Sequence, residues 1–313
     1  METRPLGSSD IRVSLVGIGC NNFGGRIPES AAREVVDTAL EAGINFFDTA
    51  DAYGNRGGSE RFLGEVLGAR RKQIVLATKF GYSMDDAGTM KGGSRGYITS
   101  AVEASLKRLR TDWIDLYQLH FPDPDTPIEE TLRALEDLVR KGKVRRIGCS
   151  NFSGTQLSES IAAARSAHLG EFITCQNEYS LLAREIEKNL VPAMRSHRVT
   201  MLPYYPLASG LLSGKYRHGA ALPEGSRLAR IAMFSERFLT ERNWHKINAL
   251  EAFAAARGRS LLELAFGWLA AQPVVSSVIA GASSGAQVTA NCAAILWRPD
   301  PQELDELDRI TRD

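Results

Sequence analysis

Residues Phe46–Gly54 read FFDTADAYG. An apolar strand breaks there into a glycine-containing loop, and Asp48 and Tyr53 stand five residues apart across the break. Enzymes place chemistry at such strand ends, because the strand fixes the backbone while the loop is free to vary. The arrangement recurs twice downstream: Lys79 lies at the end of IVLATKF, and His120 closes WIDLYQLH. Four ionisable side chains at the ends of three successive strands point to one site.

The four residue types suggest a particular chemistry. A phenol ordinarily keeps its proton to about pH 10 and is a poor acid at neutrality. A lysine beside it makes the phenolate less costly, and an aspartate keeps that lysine charged and pointed. A histidine can hydrogen-bond the phenol or a substrate oxygen. Together they describe a tuned general acid for an oxygen on which negative charge develops, as when hydride adds to a carbonyl. Any one of these residues beside a strand is ordinarily a solvated loop side chain, so the repeated placement carries the reading.

Working outward, short runs rich in Val, Ile and Leu alternate with helical patterns. The strand candidates are residues 14–20, 45–49, 74–80, 114–119, 144–150, 172–177, 199–205 and 276–281. Ser30 is placed to cap a helix ending before Gly43, and Ser59 one ending near Gly68. Thr126, Pro127 and Glu129 spell a capping box with proline at the first helical position. The helix that follows puts Ile128, Leu132, Leu135 and Val139 on one face and stops at Gly142.

Strands that read as nearly continuous apolar runs are buried on both faces by helices. Eight βα units in 313 residues fit one (β/α)8 TIM barrel over residues 1–313, with active residues at the C-terminal strand ends. Residues 4–13 read as an N-terminal β-hairpin that caps the barrel bottom. The stretch from Leu207 to about Thr240 is too long for a plain connection and reads as either a functional cover or a disordered segment. A doubly wound dinucleotide fold is the competitor, but Gly17-Ile18-Gly19 is followed by Asn22 where its fingerprint needs glycine. Gly214-Lys215 fails as a phosphate loop, since Ser209 precedes it and Tyr216 follows.

A net charge of +1 gives no ground for a nucleic-acid partner. The basic clusters at residues 70–72 and 140–146 read as solvated helix ends. Cys20, Cys149, Cys175 and Cys292 are too widely spaced for a zinc site and suit a reducing cytosol. His120 has no second histidine at ligand spacing, so no metal site is expected. The first ten residues lack a signal-peptide core, and no apolar run approaches a membrane span, so a cytoplasmic protein is expected.

Beyond Phe46–Gly54, the segments GGSERFLGEVL, ATKFG, SLKRLRTDWIDLYQLH, KGKVRRIGCSNF, CQNEYSLL, YYPLASGLLSGKY and VIAGASSGAQVTAN resemble, in order, the aldo-keto reductases. The resemblance covers essentially the whole chain. It implies a nicotinamide-dependent barrel with Asp48, Tyr53, Lys79 and His120 as catalytic tetrad, reducing an aldehyde or ketone or running the reverse oxidation. Ser150, Asn151 and Gln176 are similar to the carboxamide contacts of the family, and Tyr204 or Tyr205, before Pro206, to the ring that stacks on nicotinamide. Leu207, Ser209, Gly210, Leu211, Gly214 and Lys215 correspond to the loop around the pyrophosphate. Gly281, Ser283, Ser284, Gln287 and Asn291 correspond to the adenosine-phosphate contacts.

Many NADP-preferring members carry a basic residue in that last segment, and GASSGAQVTAN has none. NADPH remains the expected coenzyme, with weakened preference over NADH, unless a basic residue arrives from the stretch between Arg217 and Arg237. Phe23, Tyr82, Phe121 and Phe152 follow strand ends and are candidates for an apolar substrate wall around a small-molecule carbonyl or alcohol. Tyr97, Trp244 and Trp268 read as helix packing. The potassium-channel β subunits resemble the same family, so a cofactor-sensing regulatory subunit is the alternative function, though the chain lacks the long N-terminal extension such a role would suggest.

Overall fold

The structure, a computed structural model, describes residues 1–312. It begins with an antiparallel hairpin of β1 (Thr3–Pro5) and β2 (Arg12–Ser14), in which Arg4 faces Val13. Eight parallel strands follow: β3 (Val16–Gly19), β4 (Phe46–Asp48), β5 (Val75–Phe80), β6 (Ile114–Leu119), β7 (Val144–Ser150), β8 (Thr174–Gln176), β9 (Thr200–Met201) and β10 (Val278–Gly281). They pair in chain order, and β10 returns to β3 with Val278 beside Val16. Bonds from Met201 N to Val274 O and from Ser276 N to Met201 O close the ring between β9 and the approach to β10. The eight expected strands are all present, most of them shorter than the apolar runs that announced them.

Helices cover the barrel's outside. In chain order they are α1 (Glu29–Glu41), α2 (Tyr53–Leu67), α3 (Arg95–Leu109), α4 (Ile128–Arg140), α5 (Gly154–Ser166), α6 (Leu190–His197), α7 (Arg227–Arg230), α8 (Ala232–Phe238), α9 (Glu241–Ala255), α10 (Leu261–Ala271), α11 (Gly285–Ala294) and α12 (Pro301–Thr311). None of them is long and apolar enough to cross a membrane. The stretch after Leu207 thus contains a 3₁₀ turn at Ala208–Ser213 and the short helices α7 and α8.

Three of the helix starts differ from their sequence signatures. Helix α1 begins at Glu29 with Pro28 at its cap position, so Ser30 lies inside it. A proline cap recurs at α4, where Pro127 takes the cap position and Thr126 instead hydrogen-bonds Asp123. Ser59 is buried, and its hydroxyl donates to Cys20 O at 2.8 Å while lying 2.8 Å from Thr49 Oγ1. Regular helix in α2 starts only after Gly57, because Gly54–Gly57 take left-handed dihedrals. One basic cluster also departs from expectation: Arg71 is buried, paired with Asp115 at 2.8 Å and lying over Trp113.

The hairpin closes the N-terminal end of the barrel, as its pattern predicted. Leu6, Ile11 and Val13 form one apolar cluster with Phe46, Val75, Ala77, Leu116, Leu202 and Ile279 from the strands. Burying a side chain such as Leu6 contributes about 2 kcal/mol. Gly7 makes the seating possible, since it adopts φ +59° and a Cβ there would stand 2.3 Å from Ile173 O. Polar residues therefore collect at the opposite, C-terminal end.

Candidate active site

Asp48 ends β4, Lys79 is the penultimate residue of β5, and His120 directly follows β6. Tyr53 stands at the start of α2, where the chain leaves β4, so three adjacent strand ends bring the four side chains together. Lys79 is fully buried, and its ammonium has three protons to place. It lies 2.6 Å from Asp48 Oδ2, 2.9 Å from Thr49 O and 3.4 Å from Tyr53 OH. Burial opposes its charge, but Asp48 and then Tyr53 outweigh that cost and raise its pKa.

Asp48 is also fully engaged. Its Oδ1 accepts from Gln118 Nε2 at 3.0 Å and from Gln176 Nε2 at 2.9 Å. A buried ion pair persists only when its remaining lone pairs are satisfied, and these two amides satisfy them.

The phenol departs from the simple expectation that Lys79 lowers its pKa. Burial raises Tyr53 above the ordinary phenol value, Lys79 pulls it back in part, and the net direction is up. Tyr53 thus keeps its proton across the neutral range, as a donor must. His120 moves the other way: burial, and then the charge of Lys79, lower it to about 3, so the imidazole is neutral. Its ring meets Tyr53 edge-on at 5.8 Å, and Nδ1 is buried with no partner among the described residues. A neutral imidazole and a protonated phenol beside it can both address one substrate oxygen.

A cleft of about 750 Å³ opens above these groups. Of the expected coenzyme residues, Ser150, Asn151, Gln176, Tyr204, Tyr205, Pro206, Leu207, Ser209, Gly210, Lys215, Gly281, Ser283, Gln287 and Asn291 line it. Leu211, Gly214 and Ser284 do not. Leu211 is packed in the core, Gly214 ends the 3₁₀ turn with φ +79°, and Ser284 caps α11 by accepting from Gln287 N. They shape the backbone around the cleft.

The amides are already oriented. Asn151 Nδ2 donates to His120 O at 2.9 Å and to Ser150 Oγ at 3.1 Å, while its Oδ1 accepts from Tyr204 OH at 2.7 Å. Gln176 Nε2 donates to Asp48 and, at 3.3 Å, to Gln118 Oε1. With those N–H groups committed, the two residues offer mainly carbonyl oxygens, the complement of a primary carboxamide's N–H donors.

The four aromatics expected as a substrate wall divide into two pairs. Tyr82 and Phe121 line the cleft and flank His120, with ring centroids 5.8 Å and 5.0 Å away. Phe23 and Phe152 do not reach it: Phe23 is fully buried against Phe62, and Phe152 packs edge-on against Phe172. Large rings go where they displace most water, and here that is beneath the loops.

Sequence reading missed several lining residues. Arg26 enters after β3, Arg227 and Arg230 from α7, and Phe234 from α8. Arg227 lies within the stretch flagged as a source of basic charge, and it spans the cleft to Asn22 Oδ1 at 3.1 Å. Gln118 had a weaker signal, two residues before His120 and therefore on the inward side of its strand. Trp244 and Trp268 are core residues as expected, whereas Tyr97 also places its hydroxyl 3.4 Å from Asp51.

The cleft carries Arg26, Lys215, Arg227 and Arg230, while its lining carboxylate among the described residues is Asp48, already paired. A protonated phenol over a buried ammonium, opening onto such a cationic cleft at a barrel mouth, is equipment for reducing carbonyls and marks an oxidoreductase. Known proteins agree: the family model "Aldo/keto reductase family" matches residues 15–312, and the chain belongs to that family. It is 35% identical to a protein from Arabidopsis thaliana named as a probable voltage-gated potassium channel subunit beta, covering 99% of this chain and 96% of that one. It is 33% identical to the L-glyceraldehyde 3-phosphate reductase of Escherichia coli K12, covering 94% and 88%. Its structure is similar to the holo form of an aldo-keto reductase from Bacillus halodurans, with TM-score 0.80, 34% identity and coverage of 100% and 97%.

Proposed function

We propose that the protein is a nicotinamide-dependent cytoplasmic reductase of aldehydes or ketones, in which Tyr53 gives the proton and NADPH is the preferred coenzyme, with NADH also accepted. The observation that carries this reading is the placement of the three Lys79 protons, which fixes a charged group under a phenol that stays protonated. When bound, the reduced coenzyme supplies the hydride. His120 and Tyr53 hold the carbonyl oxygen from two sides, and Lys79 stabilises the phenolate that Tyr53 becomes. The reverse oxidation needs Tyr53 as a base, and its raised pKa places that direction in alkaline solution.

The cleft fits such a coenzyme residue by residue. Asn151 and Gln176 present acceptors to the carboxamide, with Ser150 beside them. Tyr204, held by Asn151, supplies a ring face to the nicotinamide. Ser209 and Gly210, at φ +57° and +100°, turn the backbone around the pyrophosphate beside Lys215, and the Ser209 hydroxyl is buried without a partner among the described residues. Ser283, Gln287 and Asn291 face the adenosine end. Arg227 and Arg230 supply the formal charge that GASSGAQVTAN lacks, which favours the 2′-phosphate of NADPH. Tyr82 and Phe121 form an apolar wall for the carbonyl's substituent.

The test is a fluorescence titration of the purified protein with NADPH and with NADH, followed by turnover on a panel of carbonyls. Tighter binding of NADPH and consumption of it with a carbonyl are the expected results. A folded protein that binds neither coenzyme would overturn the proposal. The likeness to a potassium-channel β subunit favours a second reading, a cofactor-sensing regulatory subunit. Binding of NADPH with no turnover on any carbonyl would select it.

A further inference from the structure

The inner end of the barrel holds one residue that neither the tetrad nor the coenzyme contacts account for. Gln118 is fully buried on β6, where it shares the inward face with Leu116, two residues before it. Its Nε2 donates to Asp48 Oδ1 at 3.0 Å, and its Oε1 accepts from Gln176 Nε2 at 3.3 Å. Gln176 in turn donates to the same Asp48 oxygen at 2.9 Å, so the three side chains form a closed triangle of hydrogen bonds. The neighbouring strand makes room for it. Gly148 on β7 stands beside Gln118, and a Cβ there would lie 3.3 Å from Gln118 Cγ and 2.3 Å from Thr174 Oγ1.

We propose that Gln118 is a positioning residue of the site: its amide bridges Asp48 and Gln176, so one side chain fixes both the carboxylate that holds Lys79 and the face that Gln176 turns to the coenzyme. This rests on the proposed nicotinamide-dependent reading. Gln176 has two N–H groups, and with Gln118 present both have acceptors inside the barrel, which leaves its carbonyl oxygen for the cleft. Without Gln118 one N–H loses its acceptor and the amide is free to turn. Asp48 Oδ1 meanwhile loses one of its two donors in a buried setting, where such a loss is not made good by water. The groups around Asp48 are Lys79 from β5, Tyr53 at the start of α2, His120 after β6, and Cys20 after β3, whose backbone N–H donates to Asp48 O. Among these Lys79 alone is a permanent charge near neutrality, so a change at Gln118 reaches the phenol through Lys79.

Two substitutions separate the two bonds. Gln118→Met keeps the volume and removes both. Its turnover should fall about tenfold or more, and its coenzyme Kd should weaken several-fold, with the KM for the carbonyl unchanged. Gln118→Glu keeps an acceptor for Gln176 and can donate to Asp48 only while protonated. Its coenzyme Kd should stay within about twofold of the wild type. Its turnover should be near wild type at low pH and decline as pH rises, where two carboxylates face each other, across a range in which the wild type is flat.

Thermal melts establish that each variant is folded. A folded Gln118→Met protein with wild-type turnover and Kd would overturn the bridge, as would a Gln118→Glu protein with the wild-type pH profile. The wild type measured alongside separates failure of the bridge from failure of the proposed activity. If it turns over and the variants do not differ, the bridge alone is wrong. If it neither binds coenzyme nor reduces a carbonyl, the functional reading is wrong and the bridge goes with it.

Discussion

At the inner end of the cleft, Lys79 and Asp48 are sealed inside the barrel, each held by partners from neighbouring strands. The outer wall, from Leu207 to Thr240, is pinned nearer the surface by Arg237 to Glu178, Arg217 to Glu251 and Arg227 to Asn22. Exposed ion pairs contribute about 0–1 kcal/mol each, whereas breaking a buried pair by removing one partner costs about 3–5 kcal/mol. On the proposed function, the inner end therefore couples chemistry to stability, and the outer wall can change coenzyme affinity while the fold stands.

The largest expected effect tests that coupling. Lys79→Met should abolish measurable turnover and lower stability by about 3–5 kcal/mol, read by urea unfolding, because Asp48 is left buried without its cation. Tyr53→Phe should break chemistry from stability at the same place. Its turnover should drop about 10²–10⁴-fold while coenzyme affinity and the melting temperature hold, and a Phe variant with full activity would remove Tyr53 from its role. On the outer wall, Arg227→Ala should weaken NADPH by about 1.5–3 kcal/mol, less for NADH, with no more than about 0.5 kcal/mol lost in stability. Equal losses for both coenzymes would place Arg227 on the shared pyrophosphate.

The smallest expected effect concerns Asp51, just behind the tetrad. Burial, then the nearby Glu60, push its carboxyl up to about 8, and its Oδ1 has no partner among the described residues. An aspartate ionises near 3.9 in the unfolded chain, so the folded state binds an extra proton between those values and loses stability as pH rises through them. Asp51→Asn removes that term. It should leave stability near pH 3 unchanged and raise it by about 1–2 kcal/mol at pH 5, measured by urea unfolding at each pH. A gain independent of pH would show that Asp51 does not titrate there.

The same contrast explains what could be read from sequence. Asp48, Tyr53, Lys79 and His120 sit at strand ends, and a strand end is visible as the place where an apolar run meets a polar residue. The barrel followed because eight such runs alternate with helical patterns, and the hairpin because Gly7 breaks its two arms. The outer wall was legible only as a long segment. Where Arg227 and Arg230 point depends on how α7 folds back over the cleft, which no local period encodes. Phe23 and Phe152 misled for a related reason, since a ring after a strand end can turn outward to the cleft or inward beneath its loop. The helix starts at Pro28 and Pro127 show proline standing at the cap position itself, where the sequence signature had put a hydroxyl.

A last consequence concerns sulfur. Cys20, which follows β3, and Cys149 and Cys175, within β7 and β8, are fully buried, and burial pushes the Cys20 and Cys149 thiols well above their usual range. Reactive aldehydes and enones alkylate thiolates, so a protein that handles carbonyls is exposed to its own inactivators. Here the three thiols are shielded in the core, and alkylation can reach them only when the packing around the strands opens. Their rate of labelling by a small electrophile is thus a built-in clock for opening of the barrel.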